Sequence, residues 1–354
     1  MDKYNRPPNF FWPVILIGAG AILLLSNMGI VDLEFFDLIN LIQLWPLLLI
    51  AIGINFLFGQ RVSWLGSLLS LGLGLAVVAF FLLAPGYIEP FSSADMITES
   101  FADPLAGAES ARVSLDFDSG TLKVFPLTDS NNLVEVDVTH DQDLTFNASG
   151  SARRNISLNL DNELSIGFIG FFEDQQIVGE VGLHPGLPIE LSVDVGGGSA
   201  ELDLTGLDMT DLQVSSGSGS IKLTYPESSL PVDLSAGSGS INVQTSAGSE
   251  LELEAEVGSG RIRVEIAEGV YGEVELQSGS GGITVYLPEG TAVRVDGTTG
   301  SGSVRVPGDF VRVSGSDRIS GDSGAWESPG FDDADQQLVI EFSIGSGSFK
   351  LVYQ

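Results

Sequence analysis

Asp233, Glu254, Glu275 and Asp296 recur at a constant step of 21 residues in a chain of 354. Brought into line, such carboxylates would attract divalent cations or a cationic partner, because each bound charge relieves several repulsions at once. A solvated, solubilising face is the simpler reading of the same four residues. Other reactive chemistry is sparse. Cysteine is absent, which removes disulfides, zinc–thiolate sites and thiol nucleophiles. His140 and His184, the two histidines, lie beside polar residues or proline with no partner at a telling spacing. No metalloprotease helix motif, Gly-x-Ser-x-Gly elbow, phosphate loop or calcium-binding nonapeptide occurs. The stretch FDDADQQ at 331–337 offers Asp332, Asp333 and Asp335 but lacks the sixth-position glycine of a calcium loop, so a solvated loop is expected there. No catalytic, cofactor-binding or dedicated metal residue is assigned, and an enzyme is not expected.

The elements that position the carboxylates follow from a repeat. VSSGSGSIKL at 214–223 returns as LSAGSGSINV, AEVGSGRIRV, LQSGSGGITV, GTTGSGSVRV and FSIGSGSFKL. First glycines fall at Gly196, Gly217, Gly237, Gly258, Gly279, Gly300 and Gly345, in steps of 20 or 21 residues until a last step of 45. A fixed period of this size marks a repeat architecture. Leu212, Val232, Leu253, Val274, Val295 and Ile340 form an apolar column before the corner. After it, Ile221, Ile241, Ile262, Ile283, Val304 and Phe349 form another. These are the inward faces of two strands per repeat.

Two folds satisfy this pattern. In a β-solenoid, like positions stack about 4.8 Å apart. In an antiparallel meander each Gly-Ser makes a hairpin turn. The outward column Gln213, Asp233, Glu254, Glu275, Asp296 and Glu341 would then pair with Lys222, Asn242, Arg263, Thr284, Arg305 and Lys350. Acid–base pairing favours the meander, since stacked carboxylates cost about 0.9 kcal/mol per neighbouring pair before screening. Likeness from repeat to repeat favours the solenoid, because stacking rewards it.

Upstream, three apolar stretches at about 10–30, 41–58 and 62–84 are read as transmembrane helices of a membrane anchor over 1–84. Lys3, Arg6 and Arg61 flank them, whereas the first loop holds only Asp32, Glu34 and Asp37. The positive-inside rule places the N-terminus in the cytoplasm and everything after residue 84 outside. A proline-containing linker is read over 85–110, and a β-domain over 111–354. Net charge is −32, with 43 of 47 acidic residues after residue 84 against 12 of 15 basic ones, so nucleic acid is not an expected partner.

FWPVILIGAGAILLLSNMGI and LWPLLLIAIGINFLF resemble the membrane region of bacterial LiaI/LiaF-like proteins. HPGLPIELSVDVGGGSAELDLTGL and LQVSSGSGSIKL, within 184–223, resemble the toast-rack, or adhesin-type, β-domain family. The second resemblance implies that Gly-Ser-Gly turns between two sheets of a superhelix. The expected fold is therefore an all-β, right-handed β-solenoid of about 21 residues per rung behind three membrane helices, with the meander as alternative. The resemblances imply a bacterial cell-envelope protein presenting its β-domain for binding or adhesion, with cell-wall or envelope-protein partners. The alternative is a LiaF-like accessory regulator of an envelope stress response, contacting a sensor kinase. A polysaccharide-acting enzyme ranks third, and a divalent cation at the acidic stripe is the one small ligand considered.

Overall fold

The computed structural model describes residues 96–161, 177–226, 229–317 and 322–354. The three expected membrane helices lie outside the described residues. Among the described residues no helix is long and apolar enough to cross a membrane. They are almost wholly β-strand and belong to one compact unit.

Alternation of apolar and polar residues builds every strand. β1 (Ile97–Pro104) comes first, inside the stretch read as a linker. A rung follows from β2 (Ser110–Phe117) and β3 (Thr121–Pro126), then β4 (Asn132–His140) and β5 (Asp143–Ser149). Three more two-armed rungs are β6 (Arg153–Asp161) with β7 (Val178–Leu183), β8 (Ile189–Val195) with β9 (Ser199–Asp203), and β10 (Met209–Ser216) with β11 (Ser220–Thr224). β12 (Leu230–Ala236) and β13 (Ser240–Gln244) make another. From there, both arms run through the corner as single bent strands: β14 (Glu250–Glu265), β15 (Tyr271–Leu287) and β16 (Val293–Arg305). β17 (Val311–Asp317) and β18 (Asp322–Glu327) precede the last long strand, β19 (Leu338–Tyr353).

The repeats form a solenoid. Leu212 pairs in parallel with Val232, and Ile221 in parallel with Ile241. Gln213 and Lys222 therefore belong to different sheets, which corrects the meander alternative. Both apolar columns turn inward: Leu212, Ile221, Ile262 and Ile283 are completely buried. Hydrogen bonds continue through the corners, where Ser218 N donates to Gly196 O at 3.1 Å and Ser238 N to Gly217 O at 3.0 Å. That stacking dictates the glycine. A Cβ at Gly260 would sit 1.7 Å from Gly239 O, and one at Gly239 only 1.5 Å from Gly219 O.

Rung order departs from chain order at both ends. β19 pairs with β15 on one side and β16 on the other, so the last strand lies between its two predecessors. At the other end β2 lies between β6 and β8, and β3 between β7 and β9. Antiparallel strands cover both arms at one end, β5 on β6 and β4 on β7 with β1 outside, and at the other end the first arm of β16 over Arg294–Thr298, with β18 on it and β17 outside. A parallel stack would otherwise end in an open row of N–H and C=O groups.

β1 is fixed by side chains as well as by its ladder. Asp103, buried, accepts two hydrogen bonds from Arg154, the one from Nε at 3.0 Å. Phe101 stacks on Phe146 with ring centroids 5.0 Å apart.

Candidate interaction faces

Parallel register converts the 21-residue step into a ladder on the outside of the first sheet. Its order in space is Gln213, Asp233, Glu254, Glu275, Glu341 and Asp296. The continuous stripe expected from Asp233, Glu254, Glu275 and Asp296 is thus corrected in one place. Glu341 stands between Glu275 and Asp296, because β19 is threaded between β15 and β16. The insertion keeps the ladder acidic, giving five consecutive rungs a carboxylate.

Glu252 and Glu273 form a second row two residues upstream on the same face. Together the rows line a groove of about 350 Å³ with no basic residue in its lining. Among the described residues no basic side chain pairs with Asp233, Glu254, Glu275 or Glu341, while Asp296 meets Arg294 at 3.5 Å. Gln277 Nε2 donates to Glu275 Oε1 at 2.8 Å. The carboxylates stand side by side on one sheet, so none opposes another across a cleft as the two carboxyls of glycoside cleavage must. Among the described residues no three His, Asp or Glu groups converge where they would hold a metal ion.

The second arm carries mostly bases in the matching column from Lys222 onward, with Glu201 beside Lys222 in the ladder and Glu265 paired to Arg263 on the same face. Its outer ladder reads Lys222, Asn242, Arg263, Thr284, Lys350 and Arg305. Arg263 lies 4.2 Å over the Tyr286 ring and donates from Nε to Glu265 Oε1 at 2.8 Å. That bond to Glu265 pushes the guanidinium pKa still higher. Segregation of acid and base onto opposite faces is the main electrostatic feature of the repeats.

Near the N-terminal corner, Asp116 is paired in register with Asp194. Partial burial, and then the charges of Asp194, Asp118 and Asp161, raise its pKa above the ordinary carboxylate value. His140 is buried beneath β1. Its Nδ1 lies 2.7 Å from Gln142 O, and its Nε2 is 3.7 Å from Glu99. His184 accepts a hydrogen bond from Gly186 N at 2.9 Å, a turn contact. The two histidines belong to different local structures and form no pair. Asp332 and Asp333 lie in a short 3-10 turn anchored by the buried Phe331.

Sequence reasoning found the acidic column and its basic counterpart. It missed the order of the last two rungs and the hairpin of β17 and β18, where 311–327 carries no Gly-Ser-Gly signal.

None of the curated proteins matches the chain. Two solved structures share low identity. One is a candidate cell adhesion protein from Clostridium sporogenes, 15% identical, with a TM-score of 0.41, covering 73% of this chain and 100% of that one. The other is a candidate adhesin from Bacteroides fragilis, 10% identical, with a TM-score of 0.28, covering 73% of this chain and 98% of that one. Two family models match consecutive segments. Residues 10–57 match the LiaI-LiaF-like transmembrane region. Residues 92–244 match the N-terminal domain of toast_rack, DUF2154. Two consecutive segments thus resemble known families, residues 10–57 a LiaI-LiaF-like transmembrane region, which points to membrane association, and residues 92–244 the toast-rack N-terminal domain.

Proposed function

We propose that this is a bacterial cell-envelope protein whose N-terminal helices hold the solenoid outside the membrane, where its acidic face docks a cationic surface of the wall or of another envelope protein. The observation that carries this reading is the unbroken carboxylate ladder from Asp233 to Asp296. Each neighbouring pair costs about 0.9 kcal/mol before screening, a cost that a bound cationic partner removes. Co-sedimentation of the full chain in nanodiscs with isolated cell-wall sacculi tests it. Asp233→Asn, Glu254→Gln and Glu275→Gln together should lower binding at least tenfold, and unchanged binding would remove the acidic face from the mechanism. Calcium serves as the small-cation control. A melting midpoint unmoved by millimolar calcium in low salt would leave a macromolecular partner as the occupant. Topology is tested separately, by protease added to intact protoplasts: residues 96–354 should be digested, and full protection would overturn the outward orientation.

The match over residues 10–57 favours a second reading, a LiaF-like accessory whose helices contact a sensor kinase. In that case deleting the gene should change an envelope-stress reporter even when the acidic face is intact, and the triple variant should complement the deletion.

A further inference from the structure

The acidic and basic ladders are built on the same strands. Glu254 and Arg263 share β14, Glu341 and Lys350 share β19, and Asp296 and Arg305 share β16. In each strand the acid stands before the corner and the base nine residues later, after it. The members of each pair therefore face away from one another on opposite sheets. Because both ladders climb by the same rungs in the same order, their charges are spaced alike. Rung by rung, a base on one face thus corresponds to an acid on the other: Arg263 to Glu254, Lys350 to Glu341 and Arg305 to Asp296.

From this register we infer that the acidic face of one copy docks the basic face of a second copy of the chain. Charge complementarity selects that occupant. The groove beside Glu254 and Glu275 has no basic residue in its lining, and the basic ladder climbs by the same rungs. Asn242 and Thr284 interrupt the basic ladder, which limits its own repulsion, whereas nothing interrupts the acidic one. The overall acidity of the domain opposes approach at long range. At physiological salt the Debye length is about 8 Å, so paired charges in contact outweigh distant ones. The contact is heterologous, and repeated translation gives an open row in which every chain points the same way. The inference rests on the acidic face being a docking surface, as proposed above. Contact between copies and binding to sacculi are read separately, so either can fail alone.

The absence of cysteine makes the test direct. Full-length Glu254→Cys and Arg263→Cys chains, mixed in nanodiscs or in one membrane, are treated with a short bismaleimide. A cross-linked dimer containing one of each is expected, at least fivefold above a mixture of Glu254→Cys with Thr205→Cys, whose Thr205 lies in a turn away from both ladders. The product should fall severalfold at 1 M salt. A second pair on the next rung, Glu275→Cys with Thr284→Cys, should give the same product, and Arg263→Glu, Lys350→Glu and Arg305→Glu together in the Thr284→Cys chain should abolish it. Adding Glu341→Lys and Asp296→Lys should restore it. A mixed dimer no more abundant than the control overturns the inference, as does cross-linking that ignores both salt and charge reversal. If the reversed variants lose their melting transition, the Glu275→Cys and Thr284→Cys pair, which leaves every base of the ladder in place, decides alone.

Discussion

Ile262 and Arg263 are adjacent in sequence and opposite in surroundings. The isoleucine is completely buried between sheets, while the arginine lies exposed over Tyr286. Ile262→Asp should cost more than about 4 kcal/mol, since it places a charge among stacked apolar side chains. Arg263→Asp should cost under about 1 kcal/mol, the scale of exposed ion pairs. Denaturant melts of both variants check the inward and outward phase, and equal losses would refute it. Asp116 makes the second residue-scale prediction. Its raised pKa means that the folded state disfavours the ionised form, so stability falls as pH rises through the folded value. Asp116→Asn should therefore melt higher than the parent at pH 7. The gap should close as pH drops below the ordinary value of 3.8, where both forms of the parent are protonated. A gap that persists at pH 3 would assign the effect to packing instead.

At the scale of elements, the corner separates two uses of glycine. Gly290 has φ +84 with nothing within 4 Å of a would-be Cβ, so only backbone strain opposes a side chain there. Gly290→Ala should cost about 1–2 kcal/mol. At Gly260 a methyl group would overlap the carbonyl of Gly239, which is itself held in the ladder. Relief requires the rungs to separate, so Gly260→Ala should cost several times more than Gly290→Ala in the same thermal melt. Comparable losses would mean that the corners are looser than their stacking suggests. The recurring Gly-Ser-Gly is thus a condition of packing one turn on the next, and it has none of the freedom of a linker.

The whole molecule departs from a simple coil in being stitched at its ends. In a sequential solenoid each repeat contacts its neighbours alone, so losing the last one frays one end. Here β19 contributes Leu338, Ile340, Phe342 and Phe349 to the core between β15 and β16. Deleting 338–354 should leave β16, and with it the β17–β18 hairpin, without its parallel partner and render the C-terminal third of the domain protease-sensitive. Limited proteolysis of the truncated full-length protein checks this. A fragment pattern identical to the parent's would show that β15 and β16 close directly on each other. The same threading implies that β15 and β16 are both made before the strand that separates them, because β16 precedes β19 by more than thirty residues.

Sequence alone determined the inward columns, the outward columns of opposite charge and the place of the glycine corners from Gly196 onward. Those features repeat within each rung, and a local pattern of apolar, charged and small residues specifies them. It left solenoid and meander open on the residues themselves, because alternation fixes which way Gln213 and Lys222 point but not which strand lies beside them. The tertiary structure decided that through parallel hydrogen bonds between like positions. It also decided that Glu341 sits beside both Glu275 and Asp296. No local signal distinguishes β16 from β19 as the neighbour of β15, since both present an apolar column and a Gly-Ser-Gly corner in the same register. Nearly equivalent strands compete for one site, and the choice falls to the connection that must cap the stack. That connection is the β17–β18 hairpin, which covers the outer edge of β16 over Arg294–Thr298 and returns the chain to the gap that β19 fills.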